Sequence, residues 1–244
     1  MRPIRFYPLL LATIALPGAA FADVTLSYAV AGEPAPLVVQ YHDAGTMRAQ
    51  QAEKEFAVVN GGRLYYCERL DRRWRVVDVL RASSELDQTG LGDVVRQEVK
   101  RRSDTVAVTK VTLKDTGRPE LVAGVAGTVY EAVVEKEDGS SERHELVMTA
   151  DPRALTAWNG FMGVAAGHLE RIGDVIDLGV AGIRSAKALA TFREAGRAPI
   201  RIDDRMRLSA MSEEPITPER FELPARPVGL VGGGLSELEK LFGQ

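Results

Sequence analysis

The feature that most constrains this chain is a series of short segments in which apolar residues alternate with polar ones. In the first of them, "DVTLSYAV", Val24, Leu26, Tyr28 and Val30 fall on one face, because side chains along a strand alternate with period two. Only a few residues separate each segment from the next. Since strands joined by turns this short pair antiparallel with their neighbours, the pattern predicts an antiparallel meander.

The meander continues through "PLVVQYHDAG", "MRAQ" and "EFAVVNGG", which are predicted to be its next three strands. Asn60-Gly61-Gly62 is the strongest hairpin signal in the chain, since glycine accepts the positive φ that tight hairpin turns require. The segment "RLYYCERLDRRWRVVDV" predicts two further strands joined around Asp71-Arg72. Six strands are therefore expected before the pattern changes.

After Ser83 the apolar spacing becomes helical in "SSELDQTGLGDVVRQEVKRR", and strands resume in "TVAVTKVTLKDTGR". Residues 120–152 predict two long strands joined around Glu137-Asp138-Gly139-Ser140. A helical segment is expected at about residues 153–196, because it is rich in alanine and lacks internal proline. The segment "APIRIDDRMRLSAMSEE" then returns to a strand or a strand pair. The predicted fold class is α+β.

The first 22 residues have the composition of an export signal. Arg2 and Arg5 precede an apolar run that closes on Ala20-Phe21-Ala22, which predicts cleavage after Ala22 and a periplasmic or secreted protein. Removing the two arginines changes the net charge from -3 to -5. This mild acidity argues against nucleic acid as a partner, and the cleaved protein is not expected to be integral to a membrane.

The rest of the chain is expected to form one domain over residues 23–228, followed by a flexible tail. In the tail, residues 229–244, a run of glycines precedes "LSELEKLF", a short amphipathic helix. The segment before the tail, "EEPITPERFELPARPV", is studded with proline, which suits an edge strand and its exit. Phe221 within it is expected to plug the rim of the sheet.

Residues with catalytic chemistry are sparse. His42, His144 and His168 each lack a second histidine at metal-ligand spacing, and no Gly-x-Ser-x-Gly elbow occurs. The single cysteine, Cys67, lies in the apolar segment "LYYCERL" and is expected to be a buried, inert thiol. The sequence therefore predicts no catalytic residue, no metal site and no cofactor.

The residues with the best claim to function are apolar. Those from the strands are expected to line a concave face of the sheet, and those from the helical segment to close it. The alternative is a packed core with no room for a ligand. The residues are Leu26, Tyr28, Tyr41, Tyr65 and Trp74 on the strands, and Trp158, Phe161 and Met162 on the helix.

Three motifs resemble the LolA/LolB-like periplasmic superfamily, in a branch of unknown function. They are "LVAGVAGTVYEAVVEKEDG", "HELVMTADPRAL", and "APIRI" followed by "ITPERFELPA". The resemblance implies an antiparallel sheet curled into an open half-barrel, with helices against its concave side. In the carriers of this superfamily the concavity holds acyl chains and there is no catalytic centre. The chain departs from them in its long helical insertion after Pro152 and in its extended tail.

Together these observations predict an exported, non-enzymatic binding protein whose ligand is a lipid or another apolar small molecule. The alternative is an envelope interaction protein with a packed core, whose sheet edge or tail docks a protein partner. A third hypothesis is a hydrolase that uses His42 or His144.

Overall fold

A computed structural model describes residues 23–43, 45–88, 108–172 and 186–229, which form one open, eleven-stranded antiparallel sheet with three α-helices. The antiparallel sheet predicted from the period-two pattern is confirmed. The strands are β1 (Val24–Val30), β2 (Leu37–Asp43), β3 (Thr46–Ala52), β4 (Glu55–Asn60), β5 (Arg63–Leu70), β6 (Arg73–Asp78), β7 (Val108–Val122), β8 (Val125–Lys136), β9 (Ser141–Thr149), β10 (Ala198–Ile202) and β11 (Met206–Ser212).

The strand order across the sheet is β6-β5-β4-β3-β2-β1-β11-β10-β9-β8-β7. The first six strands form the meander that the sequence predicts, with β1 innermost and β6 at one edge of the sheet. The last five form a second meander, with β11 innermost and β7 at the other edge. The first and the last strand pair at the centre, where Leu26 faces Met211 and Tyr28 faces Leu208. Each half therefore depends on the other for one of its hydrogen-bonded edges.

One predicted strand is divided by a turn that the sequence pattern does not indicate. Residues 120–136 were expected to form a single strand, but β7 ends at Val122 and β8 begins at Val125. Ala123 and Gly124 both have positive φ, of 49° and 79°, as a tight two-residue hairpin turn requires. The flanking residues are apolar, so no polar turn signal marked the reversal.

The sheet curls strongly at its β7 end. β7 and β11 have Cα atoms within 8 Å of each other, although β8, β9 and β10 lie between them. In a flat sheet, four strand spacings would separate them by about 19 Å. The sheet nevertheless stays open, because β6 and β7 do not pair.

The three helices are α1 (Val79–Gln88), α2 (Pro152–Ile172) and α3 (Ala186–Glu194). α1 begins four residues earlier than predicted, because the buried Asp78 caps it by accepting a hydrogen bond from the Arg81 amide at 3.1 Å. α2 and α3 fall within the predicted helical segment. The predicted tail helix lies outside the described residues, and none of the described helices is both long and apolar enough to cross a membrane.

The proline-rich segment at residues 213–229 crosses the sheet as a strap instead of forming an edge strand. It leaves β11 beside β1, where the Ile216 amide donates to the Asp23 carboxylate. A 3₁₀ turn, Pro218–Phe221, then lies over β3 and β4. The strap ends at β6, where the Val228 amide donates to the Val76 carbonyl at 2.8 Å. Its prolines therefore suit a covering segment that makes few backbone bonds.

Candidate functional site

The two faces of the β1–β6 half carry separate apolar clusters. One face, which we call the helix face, carries Leu26, Tyr28 and Met47 and packs against α2. The opposite face, which we call the strap face, carries Val58, Cys67 and Val76 and lies against the strap. Both clusters are buried, so the sheet is covered on both sides here.

The helix face brings together most of the residues predicted to bind an apolar ligand. Leu26, Tyr28, Trp158, Phe161 and Met162 are all buried in one cluster. The rings of Tyr28 and Trp158 meet edge to face, with centroids 6.3 Å apart. The partly buried Tyr41 packs against the same cluster. Burial also raises the pKa of Tyr28 far above its ordinary value.

Tyr65 and Trp74 do not lie with the other predicted residues, because they belong to the strap face. Tyr65 stands between Leu64 and Tyr66 on β5, and both of these contribute to the helix-face cluster. Since neighbouring side chains on a strand point to opposite faces, Tyr65 must point the other way. Strand parity is therefore the sequence signal that separates Tyr65 from Leu64 and Tyr66.

The contact between α2 and the sheet is close and is filled by side chains. A Cβ atom built on Gly160 would lie 2.6 Å from Met47 Sδ and 3.2 Å from a Tyr41 ring carbon. Four buried methionines contribute to this cluster, and methionine adapts its shape more readily than branched side chains do. They are Met47, Met148, Met162 and Met206.

One polar atom on α2 is left unsatisfied. Asn159 Oδ1 is buried and has no hydrogen-bond partner among the described residues. Such an atom costs free energy unless a donor reaches it. It lies on the turn of α2 that also carries Trp158 and Met162, so an acceptor is available at this level of the helix.

The strap face is closed by Leu223 and Ala225, which pack on its cluster. Phe56 and Trp74 meet edge to face with ring centroids 5.3 Å apart. Cys67 is buried as predicted, and burial raises the pKa of its thiol to about 12, with a smaller opposing effect from Arg48. A thiol in this state is protonated at neutral pH, which supports the expectation that it is inert.

The curled half of the sheet carries a groove of about 620 Å³ lined mainly by polar side chains. Charged residues in and beside it pair with one another. Arg201 donates to both oxygens of Glu120 at 3.0 Å and to Glu145 at 2.5 Å. Arg118 also donates to Glu145, at 2.5 Å. These pairs join β7, β9 and β10, so they stabilise the curled arrangement of these strands.

Two histidines each lie beside an aspartate. His144 Nδ1 is 2.7 Å from Asp203 Oδ2 in the polar groove, and His42 Nδ1 is 2.5 Å from Asp23 Oδ1 near the strap. The second nitrogen of His144 lies 3.6 Å from Glu142 Oε2. The carboxylate of Glu142 therefore lies beside the second nitrogen of His144, where the serine or cysteine nucleophile of a hydrolase would lie. The side chain of His168 lies outside the described part of the chain.

Comparison with known proteins gives no match: no family model fits the sequence, and no curated protein or solved structure is significantly similar to it. Within the described ranges, no group of three or more histidine, cysteine, aspartate or glutamate side chains is arranged to hold a metal ion. The features of the described residues that bear on function are therefore the two apolar clusters and the charged side chains beside them.

Proposed function

We propose that this protein is an exported, non-catalytic binding protein that holds an apolar, lipid-like ligand between α2 and the helix face of the sheet. The observation that carries the proposal is the continuous apolar layer between them, built from Leu26, Tyr28, Trp158, Phe161 and Met162. A ligand pocket of this kind is mostly apolar, with a few polar groups that fix orientation.

Two further features support a ligand at this position. The methionines of the layer can repack around an incoming chain at low cost. The unsatisfied Asn159 Oδ1 on α2 offers an acceptor for a hydroxyl, amide or ammonium group of the ligand. In the structure described here side chains fill the layer, so ligand entry requires α2 to move away from β2 and β3.

The LolA/LolB-like resemblance is part of the same proposal. An open antiparallel sheet that curls at one end, with helices on one face, is compatible with that architecture. An acyl chain on the helix face would then correspond to the ligand of the carriers. The apolar run and small residues before Asp23 support export.

The two tryptophans allow a direct test, because they lie on opposite faces. Trp158 belongs to the helix face and Trp74 to the strap face, and the chain has no others. A brominated fatty acid, which quenches tryptophan only on close contact, would be titrated into Trp74→Phe and Trp158→Phe variants. Quenching is expected only in the variant that keeps Trp158. Native mass spectrometry of protein purified without detergent should also show a retained lipid.

The interaction protein with a packed core is the second candidate. The complete burial of Leu26, Tyr28 and Trp158 favours it, because a dense apolar layer stabilises a fold without any ligand. If neither tryptophan is quenched and the native mass equals that of the bare chain, the ligand proposal fails and this candidate stands.

A further inference from the structure

The strap covers a buried positive charge. Arg48 on β3 is only 7% exposed. Its Nη1 donates to the strap carbonyl of Arg220 at 2.7 Å, and its Nη2 donates to Gln50 Oε1 at 2.8 Å. The guanidinium carbon lies 3.5 Å from the centroid of the Phe56 ring. Nε is buried and has no hydrogen-bond partner among the residues that the structure describes.

No carboxylate in the described part of the chain forms an ion pair with Arg48. Its hydrogen-bond acceptors are a backbone carbonyl and a side-chain amide, both of them neutral. The nearby charge of Arg220 has the same sign, and together with burial, which has the larger effect, it lowers the pKa of Arg48 to about 10. A buried cation without a counter-charge is costly. The strap therefore supplies one hydrogen-bond acceptor for Arg48 but no negative charge to balance the guanidinium.

The strap itself is held by few contacts. Ile216 and Phe221 are its buried side chains, whereas Leu223 and Ala225 are only partly buried. Among the described residues its hydrogen bonds to the body of the protein are those of the Ile216 amide, the Arg220 carbonyl and the Val228 amide, together with the ion pair of Glu213 with Arg153. Segments with so little burial open locally at a lower free energy than the whole domain. This limited burial favours local opening of the strap over unfolding of the whole sheet.

We propose that the surface beneath the strap is a binding site for an extended segment of a partner protein that carries an acidic side chain. The partner segment displaces the strap, covers the apolar cluster of Val58, Cys67 and Val76, and pairs its carboxylate with Arg48. The free Nε and one Nη nitrogen offer the two donors that a carboxylate accepts.

The strap indicates the shape and the side chains that such a partner segment needs. It is rich in proline, contains the 3₁₀ turn Pro218–Phe221 between extended residues, and crosses β1 to β6 with an aromatic side chain at Phe221 and apolar side chains at Leu223 and Ala225. A partner with the same shape and a carboxylate near position 220 would match the surface in both shape and charge. This site lies on the face opposite the proposed ligand layer and reaches the edge strand β6, where Val228 of the strap bonds to Val76.

The test uses two labelled peptides with the strap sequence of residues 215–228, one carrying Arg220→Glu and the other Arg220→Gln. Each is titrated by fluorescence anisotropy into the full chain bearing Phe221→Ala, which weakens the strap. The glutamate peptide is expected to bind about tenfold more tightly, because only it supplies the counter-charge. The difference should vanish when Arg48→Met is added.

Equal affinities of the two peptides, or no binding of either, would overturn the proposal. If circular dichroism shows that Phe221→Ala does not fold, Ile216→Ala loosens the other end of the strap and takes its place. The same substitutions in the full chain give a second readout. Arg220→Glu should melt at least about 2 °C above Arg220→Gln, and equal or reversed melting temperatures would count against a need for an anion beside Arg48.

Discussion

The guanidinium of Arg201 in β10 donates to both carboxylate oxygens of Glu120 in β7, each at 3.0 Å, although two strands separate these elements in the sheet. The two residues are 81 positions apart in the sequence. Arg207 of β11 also approaches Glu120, at 3.6 Å. This contact is possible only because the sheet curls, and it ties the curled strands together.

Removing the Glu120 carboxylate should destabilise the fold. Glu120→Ala leaves Arg201, which is largely buried, with Glu145 as its remaining carboxylate. The expected loss is about 1–3 kcal/mol in the free energy of unfolding, measured by urea denaturation. Glu135→Ala is the control, because its pair with Lys110 is exposed and should contribute less than about 1 kcal/mol. A larger loss in the control would show that the Arg201–Glu120 pair has no special weight.

Stability should fall in acid. Hydrogen bonds from Arg201 and then from Arg118 lower the pKa of Glu145 below its ordinary value of 4.5, and Arg153 lowers that of Asp151. A carboxyl group with a lowered pKa stabilises the folded state above its unfolded pKa, and this contribution is lost as the pH falls through the folded pKa. Urea midpoints should therefore drop below about pH 4.5. Glu145→Gln should lose less stability than the wild type over the same range, and parallel curves would contradict this account.

Two glycines of α2 should respond oppositely to alanine. A Cβ atom built on Gly163 meets no described atom within 4 Å outside its own stretch of helix backbone, so Gly163→Ala should stabilise the protein by about 0.5–1 kcal/mol through helix propensity. At Gly160 the same methyl group would meet Met47 and Tyr41, and overpacking of this kind costs about 1–3 kcal/mol. Thermal melts should rank Gly163→Ala above the wild type and Gly160→Ala below it. The reverse order would mean that α2 does not lie this close to β3.

Phe221 is a buried side chain of the strap, and its truncation should weaken the attachment of the strap to the sheet. Phe221 is buried and its ring centroid lies 5.8 Å from that of His42. Phe221→Ala should cost about 3 kcal/mol, unless the strap detaches first, in which case hydrogen exchange at the Val228 amide should accelerate. Glu222→Ala, next to it but exposed, should change stability by less than about 0.5 kcal/mol. If Phe221→Ala leaves both measurements unchanged, the strap does not depend on this side chain.

The Cys67 thiol should report whether the strap is in place. Because burial raises the pKa of the Cys67 thiol to about 12, far less thiolate is present at pH 8 than for an exposed cysteine. Reaction with a disulfide reagent should accordingly be very slow in the folded protein and fast in urea. Leu223→Ala should accelerate it in the folded protein, whereas Met162→Ala on the other face should not. Equal rates in the two variants would show that the strap does not protect the thiol.

Part of this structure was predictable because it depends on local periodicity. The alternation in "DVTLSYAV" and the short turns at Asn60-Gly61-Gly62 and Asp71-Arg72 specify strands and antiparallel neighbours within a few residues of each other. The helices after Pro152 follow from composition in the same way. The turn at Ala123-Gly124 was not predicted, because the positive φ angles of these two residues reverse the chain without any polar turn residue to mark the position.

The sequence by itself determined that the chain forms strands that pair antiparallel with their neighbours, followed by helices. It also determined that the residues proposed to bind a ligand are mostly apolar. Only the tertiary structure decided that Tyr65 and Trp74 face away from Trp158, that Glu120 meets Arg201, and that the proline-rich segment crosses the sheet to cover Arg48. The reason is physical. Period and turn length act over a few residues, whereas face, curl and strap position depend on contacts between residues up to 193 positions apart, which no local pattern encodes.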